Sequence, residues 1–362
     1  MTLAIPKSLT AAVLVQTGQP LEIIDNIAIP ELKQGQILVR VHYAGLCHSQ
    51  VMETRGARGE DRYLPHMLGH EGTGTVLALG QGVSKVQVGQ RVVLGWIKGQ
   101  GIEAGGTVYL AADGRKINAG GVTTFSDYTI VSENRVVPLP EGSPDDLGVL
   151  YGCALPTGAG IVFNELMPTA QSSIAVLGLG GIGLSALLAA RDFAPRLLVA
   201  VDIEDAKLEL ARRFGATHVV NAAREDPVAA VKALTGGQGV DYAIEAGGLA
   251  HTIEQGFAVI RRGGGRLVFA SHPKAGDMIR LDPFELISGK SIAGSWGGGS
   301  RPDADVPRLG RLYAEGKLPL RHMLSHTYSL AEINRALEDL EARRIVRALI
   351  DFGVADRGTA AA

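Results

Sequence analysis

Two cysteines and one histidine are the residues of this chain best suited to hold a metal ion. Cys47, His70 and Cys153 lie in three separate segments, GLCHSQ, LGHEGTG and YGCALPTG. Two thiolates and one imidazole form a ligand set of catalytic zinc sites, which keep a fourth position open for a substrate. Because these residues are scattered along the sequence, spacing alone leaves a second interpretation open, in which they are unrelated buried side chains. His66 is a weaker candidate ligand and is more simply a packed or surface histidine.

A second group of residues has the spacing of a phosphate-binding turn. Residues 178–183 read GLGGIG, follow an apolar run and precede an apolar segment long enough for a helix. This order predicts a strand, a glycine turn and a helix whose N-terminus receives a pyrophosphate. A second apolar run ends at Asp202, nineteen residues after Gly183. A carboxylate there would accept hydrogen bonds from the ribose hydroxyls and repel a 2′-phosphate, which favours NAD.

Strands and helices alternate from residue 173 onwards, which indicates a parallel sheet covered by helices on both faces. The first two strands are the apolar runs on either side of the glycine turn. Four more are predicted, at 218–220, 241–245, 266–270 and 291–296. Helices are predicted between them, at 205–214, 227–234, 250–260 and 283–287. The fold class is therefore α/β, with a doubly wound six-stranded parallel sheet.

The preceding part of the chain, up to about residue 140, has many short β-rich runs and few helical patterns. We therefore expect a β-rich domain that resembles a partly closed barrel. Within it, the glycine-rich segment 95–121 has no clear periodicity and is expected to form a surface lobe or loop. Near the other end of the chain, a capping box at Ser329 predicts a helix. A final strand at 346–350 is expected to return to the first domain.

Length and composition limit the remaining possibilities. A chain of 362 residues with a formal net charge of −2 and no block of like charges suits two domains and argues against nucleic acid or membrane partners. No segment has the pattern of a signal peptide or a transmembrane helix, so a cytoplasmic location is expected. We expect one domain at 1–154 with 297–362, and a nucleotide-binding domain at 155–296.

The motifs GLCHS, GHEGTG, GCALPTGAG and GLGGIG together resemble the zinc-dependent alcohol dehydrogenases of the medium-chain dehydrogenase/reductase family. The resemblance runs nearly end to end. It is strongest to the branch with the glutathione-dependent formaldehyde dehydrogenases, through CHS, SWGGGS and DVPRLGRLYAEGKL. It implies a Rossmann domain beside a GroES-like catalytic domain. It also implies a homodimer or homotetramer, in which the strand at 291–296 pairs across a two-fold axis.

The resemblance gives each matching residue a role. Cys47, His70 and Cys153 would bind the catalytic zinc, with Glu71 behind the metal as an alternate ligand. Ser49 would hydrogen-bond the substrate alcohol and begin a proton relay. The other matching residues would contact the cofactor or the substrate. The NAD contacts would be His48, Thr157, Gly178, Gly180, Gly181, Ile182, Gly183, Asp202, Lys207 and Arg347, and the substrate pocket would include Met52, Trp96 and Phe125.

Three positions depart from the family pattern. Many members carry a four-cysteine structural zinc lobe, but residues 97–121 contain no cysteine, so one catalytic zinc and no structural zinc are expected. Met52 stands where some members end the proton relay in a histidine, so the proton must leave through water or another group. Gln50 stands where an aspartate commonly orients the zinc-bound histidine. A neutral amide would hold the imidazole less strongly and leave the metal more electrophilic.

The resemblance implies an NAD-dependent enzyme that interconverts a primary or secondary alcohol with its aldehyde or ketone. A specialised dehydrogenase for a glutathione adduct, a polyol or cyclitol, or an aromatic alcohol is the alternative, and the motifs do not choose between them. A non-catalytic nucleotide-binding relative and a zinc-free quinone or enoyl reductase are two further possibilities. The chain retains Cys47, Ser49, His70, Glu71 and Cys153 together, which argues against both.

Overall fold

Residues 5–353 are described by a computed structural model, in which the chain divides into two units. The first unit comprises Met1–Cys153 and Arg301–Ala362, and the second comprises Ala154–Ser300. The two boundaries lie one and four residues from the expected ones, after residues 153 and 300 rather than 154 and 296. The expected first domain includes residues 1–4 and 354–362, which lie outside the described residues.

Short strands dominate the chain up to Cys153, together with two short α-helices. Alternating side-chain burial in several of these strands explains their formation, since one face packs inwards and the other meets water. In chain order the elements are β1 (Ser8–Leu14), β2 (Glu22–Ala28), β3 (Gln36–Gly45), α1 (His48–Thr54), β4 (His66–Met67), β5 (Glu71–Leu79), β6 (Arg91–Gly95), β7 (Thr107–Leu110), β8 (Lys116–Ala119), β9 (Tyr128–Ser132), β10 (Val136–Pro138) and α2 (Asp145–Gly148).

Strands and α-helices alternate in the second unit. They are α3 (Ala154–Gly160), β11 (Ser173–Leu177), α4 (Gly181–Arg191), β12 (Leu197–Asp202), α5 (Asp205–Arg213), β13 (His218–Asn221), α6 (Pro227–Ala233), β14 (Tyr242–Glu245), α7 (Ala250–Val259), β15 (Arg266–Phe269), α8 (Pro283–Ile287) and β16 (Ser291–Gly294). The remaining elements of the first unit are α9 (Pro302–Ala314), β17 (His326–Tyr328), α10 (Ile333–Glu341) and β18 (Ala348–Asp351). No single described helix is long and apolar enough to cross a membrane, although one bent pair, 145–152 with 154–166, meets that test by length and composition.

The second unit contains one parallel sheet with the strand order β13-β12-β11-β14-β15-β16. This order confirms the predicted doubly wound six-stranded sheet, because the chain moves outwards from β11 first in one direction and then in the other. Two of its helices begin at an aspartate followed by proline: Asp226 caps α6 and Asp282 caps α8 by accepting a backbone N–H. Apolar side chains from the strands and from α7 fill its core.

The first unit contains a closed barrel and a seven-stranded sheet. The barrel has the order β1-β2-β7-β8-β4, and the sheet has the order β10-β6-β5-β3-β18-β17 with β9 also paired to β3. The β-rich prediction for this part is thereby confirmed. The final strand begins at Ala348, two residues later than predicted, and pairs with β3.

One prediction for the first unit was wrong. Segment 95–121 is not an irregular loop throughout, because β7 and β8 form an antiparallel hairpin within it and belong to the barrel. Thr107 and Tyr109 point inwards while their neighbours are exposed. The turn contains Asp113 and Gly114, and Gly114 has a φ of +85°. Alternating buried and exposed residues on either side of an Asp-Gly pair are typical of a hairpin. The many other glycines of the segment hid this pattern in the sequence.

Candidate functional site

The structure brings the three predicted metal ligands together from three elements of the first unit. Cys47 is the residue that caps the N-terminus of α1, His70 directly precedes β5, and Cys153 follows a 3₁₀ turn at Val149–Gly152. Their ligand atoms all lie within 4.8 Å of one another. His70 Nε2 is 3.3 Å from Cys153 Sγ. Cys47 and Cys153 are not joined in a disulfide.

The charges within this cluster suit a cation. A hydrogen bond from Cys153 lowers the pKa of Cys47 well below its usual value, and the same bond raises the pKa of Cys153. Burial lowers the pKa of His70, but the hydrogen bond and negative charge of Cys47 outweigh that effect, so the net direction is upwards. The cluster therefore combines a thiolate, a thiol and a basic imidazole, and a metal ion would displace the remaining protons from its ligand atoms.

Gln50 connects the start of α1 to the imidazole of His70. Its Oε1 accepts the Cys47 N–H at 2.9 Å, as expected of the third residue of a capping box. Its Nε2 lies 2.5 Å from His70 Nδ1. The side chain is 1% exposed. One amide therefore fixes both the helix start that carries Cys47 and the orientation of the His70 ring.

Glu71 forms a buried ion pair with Arg347, in which Arg347 Nη2 donates to Glu71 Oε1. The two residues are separated by 276 positions, so no sequence spacing indicates the pair. Burial raises the pKa of Glu71 although the charge of Arg347 opposes it. Gly45 and Gly152 admit the Glu71 side chain, since a Cβ on either would lie 2.9 Å or less from its atoms. Glu71 Oε2 has no hydrogen-bond partner within the described part of the chain.

The other predicted site residues of the first unit have different environments. The buried Ser49 Oγ has no hydrogen-bond partner among residues 5–353, whereas His48 is exposed on α1. Met52 and Trp96 are half-buried. Phe125 is fully buried, at 0% exposure, in an apolar cluster with α10 and β18. Its place in the substrate pocket stays a prediction, and a fully enclosed ring offers that role no exposed surface.

His66 lies outside the cysteine cluster. Its Nε2 is 2.9 Å from Asp61 Oδ2, and its Nδ1 is 2.9 Å from the Met67 carbonyl oxygen. Glu53 contributes a further carboxylate to this second group, whose ligand atoms lie within 4.8 Å of one another. A buried histidine with one ring nitrogen at a carbonyl oxygen and the other at a carboxylate accounts for this arrangement, in agreement with the structural interpretation of His66.

The glycine turn of the second unit lies between β11 and α4. Gly178 has a φ of +86°, and a Cβ there would lie 2.6 Å from Gly247 N. A Cβ on Gly183 would overlap the carbonyl oxygen of Gly178, whereas a Cβ on Gly180 would meet no atom within 4 Å. α4 begins at Gly181. The turn thus has one glycine for conformation, one for close packing, and one beside open space where a ligand can approach the backbone.

Asp202 is the last residue of β12, and its side chain hydrogen-bonds to the backbone of the glycine turn. Its Oδ2 accepts the Leu179 N–H at 2.7 Å, which places a carboxylate directly beside residues 178–183. Lys207 was predicted to act with Asp202, but its Nζ pairs with Glu204 Oε1 at 2.7 Å. Two further predicted cofactor contacts lie on helices of the same unit and are buried or half-buried: Thr157 on α3 and Ile182 on α4.

Two protein-family models match the chain. The model of the alcohol dehydrogenase GroES-like domain matches residues 33–141, and the model of the zinc-binding dehydrogenase matches residues 181–315. Alcohol dehydrogenase class-3 of Cereibacter sphaeroides is 32% identical over 375 positions, which cover 94% of this chain and 99% of the relative. S-(hydroxymethyl)glutathione dehydrogenase of Synechocystis is 31% identical over 369 positions, with the same coverage of both chains.

Solved structures show the same similarity. An alcohol dehydrogenase zinc-binding domain protein from Burkholderia ambifaria has a TM-score of 0.87 and 32% identity, and the match covers 95% of this chain and 98% of the other. Benzyl alcohol dehydrogenase from Acinetobacter calcoaceticus has a TM-score of 0.86 and 31% identity, with 96% and 99% coverage. The similarity therefore extends over both units of the chain.

Proposed function

Because the chain belongs to the zinc-dependent alcohol dehydrogenases of the medium-chain dehydrogenase/reductase family, we propose that Cys47, His70 and Cys153 hold its catalytic zinc. The enzyme is an NAD-dependent alcohol dehydrogenase. The observation that supports the site is the convergence of two thiols and an imidazole within 4.8 Å of one another. This donor set is one that catalytic zinc uses while a fourth position receives the substrate.

Ser49 is proposed to accept the substrate proton. A zinc ion would lower the pKa of the bound alcohol, and NAD would take the hydride from the adjacent carbon. The buried Ser49 Oγ is available for this role, since it has no hydrogen-bond partner among the described residues. The alcohol thus loses a hydride and a proton and leaves as a carbonyl compound. Met52, one helical turn further on, carries a thioether, which is a weaker proton acceptor than a histidine ring. We therefore propose that water takes the proton from Ser49.

A single catalytic zinc per chain, without a structural zinc, is part of the proposal. Residues 97–121 contain no cysteine, and hydrogen bonds provide an alternative means of holding this lobe. Glu133 accepts the N–H groups of Ser84 and Ile102, and Lys98 pairs with Glu103 at 2.8 Å. The Ile102 contact ties segment 97–121 to the 3₁₀ turn at Glu133–Arg135, and the Lys98–Glu103 pair lies within the segment.

The nucleotide is proposed to bind at the glycine turn. The pyrophosphate would lie against the N-terminus of α4, where Gly180 leaves open space beside the backbone. Asp202 would accept from the adenosine ribose, which favours NAD over NADP. The roles of Thr157, Ile182 and Lys207 as cofactor contacts stay predictions. So do those of His48 and Arg347, and Arg347 would have to contact the pyrophosphate while it remains paired with Glu71.

A primary or secondary alcohol is the proposed substrate. The alternative is a specialised substrate, and the names of relatives at 31–32% identity motivate two: a glutathione adduct and an aromatic alcohol. We would measure NADH formation with ethanol, a secondary alcohol, benzyl alcohol and S-(hydroxymethyl)glutathione, with and without a zinc chelator. Activity that the chelator abolishes and zinc restores is expected. Activity that persists in chelated, zinc-free protein would contradict the proposed site.

A homodimer or homotetramer is also proposed. β16 pairs only with β15 among the described strands, so it offers an open edge at one side of the parallel sheet. Phe284 and Ile287, on the preceding helix α8, are 58% and 80% exposed. Pairing of β16 with its copy would cover this edge and these side chains. Light scattering that gives the mass of one chain would contradict it. A location in the cytoplasm stays a prediction.

A further inference from the structure

The amide of Gln50 has only one orientation that satisfies its surroundings. Its two ends face the Cys47 N–H at 2.9 Å and His70 Nδ1 at 2.5 Å. A backbone N–H can only donate, so the amide oxygen must face Cys47 and the amide nitrogen must face His70. The orientation of the amide therefore follows from the capping box of α1.

This orientation selects one tautomer of His70. Because the Gln50 Nε2 group donates, Nδ1 must offer its lone pair, and a neutral ring then carries its proton on Nε2. Nε2 is the atom that faces Cys153 Sγ at 3.3 Å and belongs to the metal cluster. An imidazole that ligates zinc through Nε2 needs the opposite arrangement, in which Nδ1 carries the proton and donates to an acceptor.

We propose that Gln50 is a positioning residue that holds His70 in the tautomer opposed to zinc binding, so that zinc enters only when the Gln50 amide turns over. The proposal rests on the assignment of Cys47, His70 and Cys153 as the zinc ligands. Once turned, the amide oxygen accepts from Nδ1, and the partly buried Cys47 N–H loses its acceptor. An unsatisfied buried donor lowers the stability of the zinc-bound form, and zinc is held correspondingly less tightly.

Gln50→Glu is the variant that isolates this effect. Glutamate has the same length and serves equally well as the third residue of a capping box. Its two carboxylate oxygens accept from the Cys47 N–H and from Nδ1–H simultaneously, so zinc binding needs no rearrangement. Partners of zinc-bound histidines alter metal affinity by about 10–100-fold, and we expect Gln50→Glu to hold zinc more tightly by a factor in this range. Gln19→Glu is the control, because Gln19 is exposed in the connection between β1 and β2 and the substitution adds the same charge away from the cluster.

Two measurements test the proposal. Chelator competition with zinc-loaded protein gives the relative zinc affinities of the unsubstituted chain, Gln50→Glu and Gln19→Glu. Nuclear magnetic resonance of histidine ring nitrogens gives the tautomer of His70 before and after zinc is added, with His70→Asn to assign its signals. We expect the Nε2–H tautomer in the zinc-free unsubstituted chain and the Nδ1–H tautomer in Gln50→Glu. Gln19→Glu should match the unsubstituted chain in both measurements.

The outcomes separate this proposal from the proposed function. An Nδ1–H tautomer in the zinc-free unsubstituted chain, or equal zinc affinity with and without Gln50→Glu, would overturn the role of Gln50 and leave the zinc site intact. A chain that takes up no zinc would overturn the proposed function instead. The tautomer of His70 remains measurable in that protein, so the orientation of the Gln50 amide is tested in either case.

Discussion

The metal cluster of the first unit is made of side chains, whereas the glycine turn of the second unit is made almost entirely of backbone. Cys47, His70 and Cys153 come from three segments and meet only through the fold. The turn is one contiguous stretch, residues 178–183, and a single carboxylate, that of Asp202, supports it. The metal cluster should lose zinc when one of its side chains is removed. The glycine turn should lose stability or NADH affinity when a methyl group is added to one of its glycines.

The largest expected effect is the loss of the imidazole of His70. His70→Asn removes one of three metal ligands, and we expect zinc content near zero and an activity lower by about 10³-fold or more. The metal supplies several kcal/mol of transition-state stabilisation, and each tenfold in rate corresponds to about 1.4 kcal/mol. Zinc analysis and NADH formation measure both quantities on the same preparation.

His66→Asn is the matched control, because it removes another buried imidazole from the same unit. His66 contacts Asp61 and lies outside the cysteine cluster, so its loss should leave the zinc content unchanged. Zinc loss in both variants, with the fold retained, would show that removal of either histidine disturbs the site equally. The distinction between ligand and core histidine would then be wrong.

The second effect concerns the charges behind the cluster. Arg347→Met leaves the carboxylate of Glu71 buried and without its partner, and breaking such a pair costs about 3–5 kcal/mol of folding free energy. Urea unfolding measures the change. Adding Glu71→Gln to the same chain removes the stranded charge and should restore part of the stability. A loss below about 1 kcal/mol for Arg347→Met would contradict a buried, unpaired charge at Glu71.

The third expected effect is a loss of stability when a methyl group is added to the glycine turn. Gly183→Ala places a methyl group against the Gly178 carbonyl oxygen, so α4 must shift away from β11. Overpacking of this kind costs about 1–3 kcal/mol, which urea unfolding would detect. Gly180→Ala is the matched control, because its methyl group meets no atom within 4 Å.

Gly180→Ala should therefore unfold like the unsubstituted chain but bind NADH more weakly, since the new methyl group occupies the space beside the pyrophosphate. NADH fluorescence titration measures this affinity. Unchanged NADH binding by Gly180→Ala would place the pyrophosphate elsewhere, and equal stability of the two variants would contradict the packing role of Gly183.

The smallest effect is expected in the lobe at 97–121, where the charges lie near the surface. A hydrogen bond from Lys98 lowers the pKa of Glu103 to about 2 from an ordinary value of 4.5. A carboxyl whose pKa is lowered in the folded chain stabilises the fold above pH 4.5, and this contribution is lost as the pH falls towards 2. Because Glu103 is 39% exposed, solvent screening limits the contribution to about 0.2–1 kcal/mol.

Glu103→Gln should therefore lower stability slightly at neutral pH, and the difference should disappear between pH 4.5 and 2. Urea unfolding at a series of pH values measures it. Glu60→Gln, at a side chain that is 80% exposed and 3.8 Å from Arg62, should change nothing. A difference for Glu103→Gln that grows as the pH falls would contradict the sign of the linkage.

The sequence was most informative where structure depends on neighbouring residues. The glycine turn and its flanking strands are contiguous, so hydrophobic period and glycine spacing predicted the doubly wound parallel sheet. The predicted start of α5 at residue 205 and both ends of α8 agree with the structure. The hairpin of β7 and β8 was missed because the glycines around it masked its short alternating pattern.

Contacts between distant residues lay beyond sequence reasoning. Glu71 and Arg347 are 276 positions apart, and nothing in either local sequence indicates a buried ion pair. Phe125 belongs to a core cluster with residues of α10 and β18, which lie more than 200 positions away in the sequence. The capping box of α1 was visible in principle, because a glutamine three residues after Cys47 has that spacing. Only the structure shows that the same amide also contacts His70.

The most direct test of the account is the zinc content per chain, measured by elemental analysis on protein purified without added metal and again after reconstitution. One equivalent is expected, held by Cys47, His70 and Cys153 and lost together with activity when a chelator is added. Two equivalents would mean that the chain binds a further zinc without cysteine ligands. Protein that contains no zinc and cannot be reconstituted would contradict the metal site and leave only nucleotide binding.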